Sequence, residues 1–205
     1  MPSFAAYPSL KDRVVLVSGG GSGIGASIVE HFCQQGSKVG FVDLDEAASE
    51  ALVEALKGKG LPAPLFCKCD IRDTRAYQAA IGEIAASLGP VTALVNNAAR
   101  DDRHKIEDVT EAYWDERIAT NLRHQFFAIQ SVVPGMKKAG GGSVVNLSSM
   151  SFVAMTRNLS VYQAAKAAVT GMTRGLARDR GGDMIRVNSV MPGWIMTDRK
   201  STRLN

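Results

Sequence analysis

The sequence contains little cysteine, no long apolar run and no recognisable leader. Among its 205 residues are three cysteines, an odd number that excludes a self-contained disulfide framework. Cys67 and Cys69 have no third or fourth ligand at suitable spacing, so we predict reduced thiols and no metal site. No apolar stretch is long enough to span a bilayer, and residues 1–13 lack the basic and apolar regions of a secretory signal. These absences predict a soluble, cytoplasmic protein with no membrane partner.

Blocks of basic residues interleaved with aromatics are also absent, although the formal net charge is +4. The sequence therefore predicts no nucleic-acid partner. Hydrophobic residues make up 45% and charged residues 21%, which is typical of a folded chain of one domain and not of a disordered one. We place this domain at residues 1–197, followed by an irregular tail at 198–205.

A glycine-rich turn between a predicted strand and a predicted helix is the most informative stretch. The apolar strand 14–17 stops at Ser18, SGGGSGIG occupies 18–25, and an amphipathic helix follows at 26–35. Glycines permit a tight turn and close approach of a phosphate, which a helix N-terminus attracts. A P-loop is excluded because no Gly-Lys-Ser/Thr ends the motif. Two registers fit, from Gly19 or from Gly21; we prefer Gly19, directly after the strand. A turn that only packs helix on strand is the alternative.

Apolar runs alternate with amphipathic stretches along the rest of the chain. Because five of six predicted strands are each followed by a helix, we predict an α/β, single-domain Rossmann-type doubly wound parallel sheet, with strand order 3-2-1-4-5-6 and the ligand at the carboxyl ends of the strands. The predicted strands are 14–17, 38–43, 65–69, 91–96, 143–148 and 185–190.

An acid closes the second predicted strand. Asp43 lies 24 residues after Gly19, where a carboxylate can bind the hydroxyls of the adenosine ribose. The alternative is a solvated cap of the helix predicted at 46–57. A carboxylate at this position would repel a 2′-phosphate, and Ser22 stands in the turn where a basic residue would attract one. Both observations favour NAD over NADP.

Two predicted helices carry further polar candidates. Thr110 is a suitable N-cap for a long helix to about Lys138, bent near Pro134. Asn121, in its middle beside Leu122, Phe126, Phe127 and Ile129, is predicted to be buried on a packed face. Ser160 and Gln163 have the spacing of a capping box, so the next helix is predicted to begin at Ser160, with Tyr162 and Lys166 on one face.

Tyr162 and Lys166 form a Tyr-x-x-x-Lys pair, which by itself fits any helix. Here Ser149 precedes Tyr162 by 13 residues and ends a predicted strand. A tyrosine hydroxyl normally titrates near pH 10, and a neighbouring ammonium favours its phenolate. Tyr162 can then accept an alcohol proton, with Ser149 holding the reacting oxygen and Asn121 holding a water that links Lys166 to solvent.

With these motifs the sequence resembles the short-chain dehydrogenase/reductase family over nearly its whole length. The resemblance implies an NAD(P)-dependent oxidoreductase acting on CH–OH donors, with Asn121, Ser149, Tyr162 and Lys166 as the catalytic tetrad. It departs at Ser18, where the family usually has Thr, and at Ala99, where it usually has Gly. The cofactor residues that the resemblance implies are Ser18, Gly19, Ser22, Gly23, Ile24, Gly25, Asp43, Asp70, Ile71, Asn97, Tyr162, Lys166, Pro192, Gly193, Ile195 and Thr197.

A narrower resemblance is to sugar 1-dehydrogenases of the D-xylose, L-fucose and L-rhamnose type. It rests on YPSLKDRVV near the N-terminus, on DDRHK at 101–105 and on VTEAYWDERIATNLRH at 109–124. It implies hydride transfer from C1 of a cyclic aldose to NAD, giving a lactone, with Ser149, Asp101 and His104 near the sugar. A solvated loop at 100–105 is the alternative.

Other functions stay open. One is a dehydrogenase or reductase for another secondary alcohol or ketone, including the 3-oxoacyl type. Family members usually continue past the Pro-Gly segment with a substrate lid and a seventh strand, whereas the final residues 200–205 have no apolar pattern. A nucleotide-binding protein with impaired catalysis is therefore the alternative from another class. Small residues from Ala164 to Gly171 allow close helix approach, and the family uses this helix in a homodimer or homotetramer.

Overall fold

The structure is a computed structural model that describes residues 5–197, and these residues form a parallel sheet covered by helices. In this part of the chain six strands are hydrogen-bonded in the order β3-β2-β1-β4-β5-β6, all of them parallel. The predicted fold class and strand order are confirmed. The strands are β1 Val14–Ser18, β2 Lys38–Asp43, β3 Leu65–Lys68, β4 Ala93–Asn96, β5 Gly142–Leu147 and β6 Ile185–Val190.

At least one helix joins each strand to the next in the chain, and it carries the chain back so that all six strands run in the same direction. The carboxyl ends of parallel strands consequently line one edge, and the polar residues that follow them are brought together there. The helices are α1 Gly23–Gln34, α2 Glu46–Gly58, α3 Thr74–Leu88, α4 Glu111–Ile118, α5 His124–Lys138 and α6 Ser160–Arg180.

Alternate side chains of β1 enter two different cores. Leu16 packs in a cluster with Ile84 of α3 and Ile129 of α5. Val15 and Val17 belong to a second cluster, on the opposite face, with residues of α1 and α2. The whole of β1 is buried, as expected for a central parallel strand covered on both faces. The two cores fix the strand ends on which the polar residues sit.

The long helix predicted from Thr110 to Lys138 is interrupted by a π-helical turn. Thr110 is the N-cap of α4, as predicted, but Ala119–Arg123 is π-helical before α5 begins. Pro134 lies inside α5, which continues to Lys138. Asn121 is fully buried, as predicted, whereas Phe126 is 43% exposed and was wrongly assigned to the packed face.

The predicted capping box of α6 is wrong, although the helix does begin at Ser160. Leu159 occupies the N-cap position and makes no side-chain capping bond. The Nε2 of Gln163 instead donates to the carbonyls of Ser151 and Thr156, 2.8 Å away in each case. Among residues 5–197 no helix is both long and apolar enough to cross a membrane. The tail predicted at 198–205 lies outside the described residues.

Candidate active site

The glycine turn after β1 brings three backbone segments into close contact. A Cβ at Gly19 would lie 2.9 Å from the Cα of Ala98, and one at Gly25 would lie 1.7 Å from the carbonyl oxygen of Gly19. Gly19 also has φ +67°, a conformation that glycine adopts without strain. Ser22, the N-cap of α1, makes no side-chain capping bond. The first-turn amides of α1 therefore keep hydrogen-bonding capacity for an anion.

A cleft of about 450 Å³ runs along the carboxyl ends of the strands. It includes many of the residues that the sequence predicted and several that it did not. The predicted residues that line it are Gly19, Ser22, Gly23, Ile24, Gly25, Asp43, Asp70, Ile71, Asn97, Asp101, Tyr162 and Thr197. The other lining residues, which were not among the predicted site residues, are Val42, Leu44, Cys69, Arg72, Ala98, Ala99, Arg100, Glu116 and Thr120.

Eight of the predicted site residues are not among those that line this cleft. Two of these, Ser18 and Asn121, form hydrogen bonds with residues that do line the cleft. Gly193 and Ile195 are exposed, and the carbonyl of Pro192 accepts a hydrogen bond from the amide of Met150 at 3.1 Å. The eight are Ser18, His104, Asn121, Ser149, Lys166, Pro192, Gly193 and Ile195.

The carboxylate of Asp43 is held by two backbone amides. Its Oδ2 accepts from the amide of Gly21 at 2.8 Å, and its Oδ1 accepts from the amide of Asp45 at 3.0 Å. The N-cap of α2 is Asp45, which accepts from the amide of Ala48. The helix-cap alternative for Asp43 therefore does not hold, and its carboxylate is tied to the glycine turn.

Asp70 follows β3 and is gripped by Arg72. Its Oδ2 accepts from the Nη2 of Arg72 at 2.6 Å, and its Oδ1 accepts from the Arg72 amide at 2.9 Å. These hydrogen bonds lower the pKa of the Asp70 carboxyl. Arg72 also reaches Glu116 of α4, 3.0 Å away. No sequence signal pointed to this second contact, because the two residues are 44 positions apart.

Asn97 connects the end of β4 to the glycine turn. Its Nδ2 donates to the carbonyl of Ser18 at 3.0 Å and to that of Gly19 at 2.9 Å. The buried hydroxyl of Ser18 accepts in return from the amides of Asn97 and Ala98. Asn97 therefore ties two strand ends together, as one of the two sequence interpretations expected, and it also lines the cleft. Its contact with a cofactor stays a prediction.

The π-helical turn surrounds Asn121. The side-chain amide of this residue donates to the carbonyl of Arg117 and accepts from the amide of Arg100, both at 2.9 Å. A π-helical turn frees a backbone carbonyl from regular α-helical pairing and is frequent at functional sites. Asn121 therefore joins the loop after β4 to the helix beneath the cleft.

The end of β5 grips α6 at the position of Lys166. The Nζ of Lys166 donates to the carbonyl of Leu147 at 2.7 Å, and the hydroxyl of Ser148 donates to the carbonyl of Lys166 at 2.7 Å. The same Nζ lies 5.7 Å from the centre of the Tyr162 ring. Because burial removes water from the ammonium, the pKa of Lys166 is lowered to about 7. On the loop after β5, the hydroxyl of Ser149 accepts from the amide of Ser151 at 3.1 Å.

The thiols do not form a metal site in the described residues. No group of three or more His, Cys, Asp or Glu side chains between residues 5 and 197 is arranged to hold a metal ion. Cys69 lines the cleft, but burial raises the pKa of its thiol to about 11. It is therefore a protonated thiol at neutral pH and a weak nucleophile.

Comparisons with known proteins relate this chain to dehydrogenases. Residues 13–204 match the family model for the short chain dehydrogenase. The chain is 50% identical over 198 residues to the D-xylose 1-dehydrogenase of Caulobacter vibrioides, covering 97% of this chain and 78% of that one. It is 49% identical over 200 residues to the probable galactose dehydrogenase of Rhizobium meliloti, covering 98% and 78%.

Solved structures of the same architecture include enzymes named for different substrates. The aldohexose dehydrogenase of Thermoplasma acidophilum superimposes with a TM-score of 0.85 at 31% identity, covering 98% of this chain and 74% of that one. A 3-oxoacyl-[acyl-carrier protein] reductase of Brucella melitensis has a TM-score of 0.87 at 33% identity, covering 95% and 74%. The fold, the cleft and the family match lead to one conclusion: this chain belongs to the short-chain dehydrogenase family.

Proposed function

We propose that this oxidoreductase transfers a hydride from C1 of a cyclic aldose to NAD and releases the corresponding lactone. The observation that carries the proposal is the identity of about one half with two relatives named as sugar dehydrogenases. Relatives named for other alcohols, such as a trans-4-hydroxycyclohexanecarboxylate dehydrogenase, reach 36%. The C1 carbon of a cyclic aldose carries one hydrogen and one hydroxyl, so loss of hydride and proton gives a lactone directly.

The cleft has the features that a dinucleotide requires. Its glycine turn leaves no space for a Cβ at Gly19 or Gly25, which brings the first turn of α1 against the end of β1. In this proposal that turn holds the pyrophosphate, Asp43 the adenosine ribose and Asp70 the adenine amino group. Bound nicotinamide would supply the acceptor for the hydride. Asn97 and the segment from Pro192 to Thr197 are proposed to hold its end of the cleft.

The carboxylate of Asp43 is the reason for proposing NAD over NADP. It faces the cleft and is held by the amide of Gly21 at 2.8 Å, so it cannot turn away without losing that bond. A 2′-phosphate on the ribose would meet this negative charge at short range. Ser22 of the glycine turn is uncharged, so it offers no cation that would attract the 2′-phosphate of NADP.

Tyr162 is proposed as the acid/base. It lines the cleft in the first turn of α6, with the Nζ of Lys166 5.7 Å from its ring centre. When Lys166 is protonated, its ammonium at this position favours the phenolate of Tyr162 over the phenol. As the C1–H bond breaks, Tyr162 takes the hydroxyl proton and the C1–O bond becomes a carbonyl. Ser149 is proposed to hold the reacting oxygen, and Asn121 to hold a water that connects Lys166 to solvent.

Asp101 is proposed to contact the sugar. It lines the cleft beyond the end of β4, on the loop whose sequence resembles sugar dehydrogenases. A carboxylate accepts hydrogen bonds from hydroxyl groups, which an aldose presents on nearly every carbon. An aldose with several hydroxyls would therefore gain more from this loop than a simple secondary alcohol would.

The experiment is a turnover assay with an aldose panel and a matched variant. Purified protein is mixed with NAD and with D-xylose, D-galactose, L-fucose, L-arabinose or a non-sugar secondary alcohol, and reduced nicotinamide is followed by absorbance. We expect turnover with at least one aldose above that with the simple alcohol. Tyr162→Phe keeps the ring and removes the titrating hydroxyl, so turnover should fall by ~10²–10⁴-fold while NAD affinity persists.

Two other outcomes would replace the proposed activity, and a third would replace the proposed role of Tyr162. Preference for the non-sugar alcohol or for a 3-oxoacyl substrate would assign the protein to another activity of the family. NAD binding without turnover of any substrate would support a nucleotide-binding protein with impaired catalysis. A Tyr162→Phe protein with normal rates would show that another group moves the proton.

A further inference from the structure

The loop between β4 and α4 contacts both helices that carry proposed catalytic residues. At its start, the amide of Arg100 donates to the side chain of Asn121 at 2.9 Å. Near its middle, the Nε2 of His104 accepts from the amide of Val161 at 3.3 Å, one residue before Tyr162. We infer that His104 is a positioning residue that caps the first turn of α6 and thereby fixes Tyr162. The inference rests on the proposed role of Tyr162 as the acid/base.

Helix α6 lacks a cap of its own. Leu159 at the N-cap position has no side chain able to accept, and Gln163 turns to the carbonyls of Ser151 and Thr156. The first amides of a helix have no partner within the helix, and an unsatisfied one costs free energy. His104 satisfies the amide of Val161 from 57 positions away. A cap that the local sequence does not supply is therefore provided by another segment.

The hydrogen-bond geometry selects one tautomer of the imidazole. A backbone amide can only donate, so the Nε2 that faces Val161 carries a lone pair and the ring proton is on Nδ1. The Nδ1 lies 3.0 Å from the hydroxyl of Tyr113 and 3.3 Å from the carbonyl of Asp102. The hydroxyl of Tyr113 can accept from the ring and donate to the same carbonyl, 3.3 Å away. All of these contacts are satisfied together only in this tautomer.

The surrounding residues hold the imidazole in place. The guanidinium of Arg117, which is 8% exposed, stacks over the Tyr113 ring at 5.0 Å and donates to the carboxylate of Asp102 at 2.7 Å. The backbone amide of His104 donates to the carbonyl of Asn158 at 2.9 Å. The ring is therefore fixed from α4 on one side and from the segment before α6 on the other.

These contacts favour a structural role for His104 over the sugar-binding role that the sequence suggested. The sequence placed its side chain near the sugar, yet His104 is not among the residues that line the cleft, and both ring nitrogens contact protein atoms. A residue used in this way acts through the helix it caps. Losing it would let the first turn of α6 move, and a displacement of about 1 Å at a catalytic group can cost ~10²-fold in rate.

Two amide variants distinguish the contribution of the Nε2 atom of His104 from that of its Nδ1 atom. His104→Gln carries an acceptor oxygen near the position of Nε2, whereas the shorter His104→Asn reaches only the position of Nδ1. Ser160→Ala is the control, because it removes the hydroxyl that lies 3.1 Å from Nε2 and leaves the bond to Val161. The hydrogen-exchange rates of the first-turn amides of α6, measured without substrate, report whether the amide of Val161 is still hydrogen-bonded. Steady-state kinetics with NAD and the best aldose then show how loss of this hydrogen bond changes kcat and KM.

We expect faster exchange at Val161 and Tyr162 in His104→Asn and near-normal exchange in His104→Gln. In His104→Asn kcat should fall by about tenfold to a hundredfold, with little change in the KM for NAD. His104→Gln should recover most of kcat, and Ser160→Ala should stay within about twofold of the unmodified protein.

Three results would overturn the inference. The first is unchanged exchange in His104→Asn. The second is an equal loss of kcat in the Gln and Asn variants. The third is a rise in the KM for the sugar at constant kcat, which would make His104 a substrate-binding residue. The exchange comparison needs no turnover, so an unmodified protein that oxidised no aldose would count against the proposed function alone.

Discussion

The carboxylate of Asp43 is fixed before any cofactor binds, because the amides of Gly21 and Asp45 both donate to it. In the proposed function, the charge of this carboxylate selects against the 2′-phosphate of NADP. Asp43→Asn removes that charge and keeps an acceptor oxygen. We expect it to narrow the preference for NAD over NADP by roughly tenfold, equal to ~1.4 kcal/mol.

Asp45→Asn is the matched control for Asp43. It removes the same charge two residues away and keeps an N-cap, since Asn and Asp cap helices about equally well. Its cofactor preference should stay as in the unmodified protein. Dissociation constants for NAD and NADP, measured for all three proteins, decide the matter. A preference that moves equally in both variants, or an unmodified protein that binds NADP as tightly as NAD, would contradict the role given to Asp43.

Because Lys166 is buried, we expect the free energy of unfolding to depend on pH through this group. Burial lowers its pKa in the folded protein to about 7, whereas the ordinary value is 10.5. Below pH 7 both folded and unfolded chains carry this proton. Between pH 7 and 10.5 the unfolded chain binds more protons, so the free energy of unfolding rises with pH from this group. Burial raises the pKa of Cys33 and Cys69 to about 11, and these thiols oppose the rise above pH 9.

Lys166→Met keeps the thiols and lacks the ammonium, so the difference between the two proteins isolates Lys166. Urea unfolding without cofactor, at neutral pH and about two pH units above, should show the unmodified protein gaining roughly 1–2 kcal/mol relative to the variant. A constant difference across this range would mean that the Lys166 ammonium is not desolvated as its burial suggests.

Among the helices, α1 packs so closely against the glycine turn that one added methyl group at Gly25 would displace it. A Cβ at Gly25 would meet the carbonyl of Gly19 at 1.7 Å, so α1 must shift in Gly25→Ala. We expect loss of detectable NAD binding and destabilisation of about 1–3 kcal/mol.

Gly82→Ala in α3 is the control for Gly25→Ala. Nothing lies within 4 Å of a Cβ at Gly82, so alanine should stabilise the helix by roughly 0.5–1 kcal/mol and leave NAD affinity unchanged. Calorimetric titration with NAD and thermal unfolding test both expectations. Full NAD affinity in Gly25→Ala would show that the close approach of α1 is not needed for the cofactor.

The elements themselves were largely predictable from sequence, because apolar runs for buried strands and the glycine turn are local signals. The π-helical turn was not. Ala119–Arg123 contains no Gly or Pro to mark it, and the polar Asn121 was the one hint that this segment is unusual. The α6 cap was missed for another reason. Ser160 and Gln163 have capping-box spacing, but the hydroxyl of Ser160 contacts His104 and the amide of Gln163 donates to the carbonyl of Ser151.

For the molecule as a whole, the sheet order could be predicted, and with it the position of most of the predicted cofactor residues along one cleft at the carboxyl ends of the strands. The contacts that hold them could not. Arg72 with Glu116, and His104 with Val161, are pairs 44 and 57 positions apart whose meeting depends on loop conformation. Side-chain pairing across loops carries no periodic signal in a single sequence.

Assembly beyond one chain stays a prediction. Helix α6 exposes small residues at Ala164, Ala167, Ala168 and Gly171, while Ala165 is buried. Small side chains permit close packing of a second helix, so this face is compatible with the homodimer or homotetramer that the sequence suggested. Sedimentation of the protein alone would test that expectation, with a monomer at all concentrations as the contradicting result.

In the proposed reaction, a hydride leaves C1 of an aldose within this cleft. The most direct test supplies the aldose that turns over best, labelled with deuterium at C1, together with NAD. Mass spectrometry then follows the label in the reduced nicotinamide and in the sugar product. We expect the deuterium to appear in the reduced nicotinamide and an unlabelled lactone to be released. Reduction of NAD with the deuterium still on the sugar would contradict it, because the hydride would then come from another carbon.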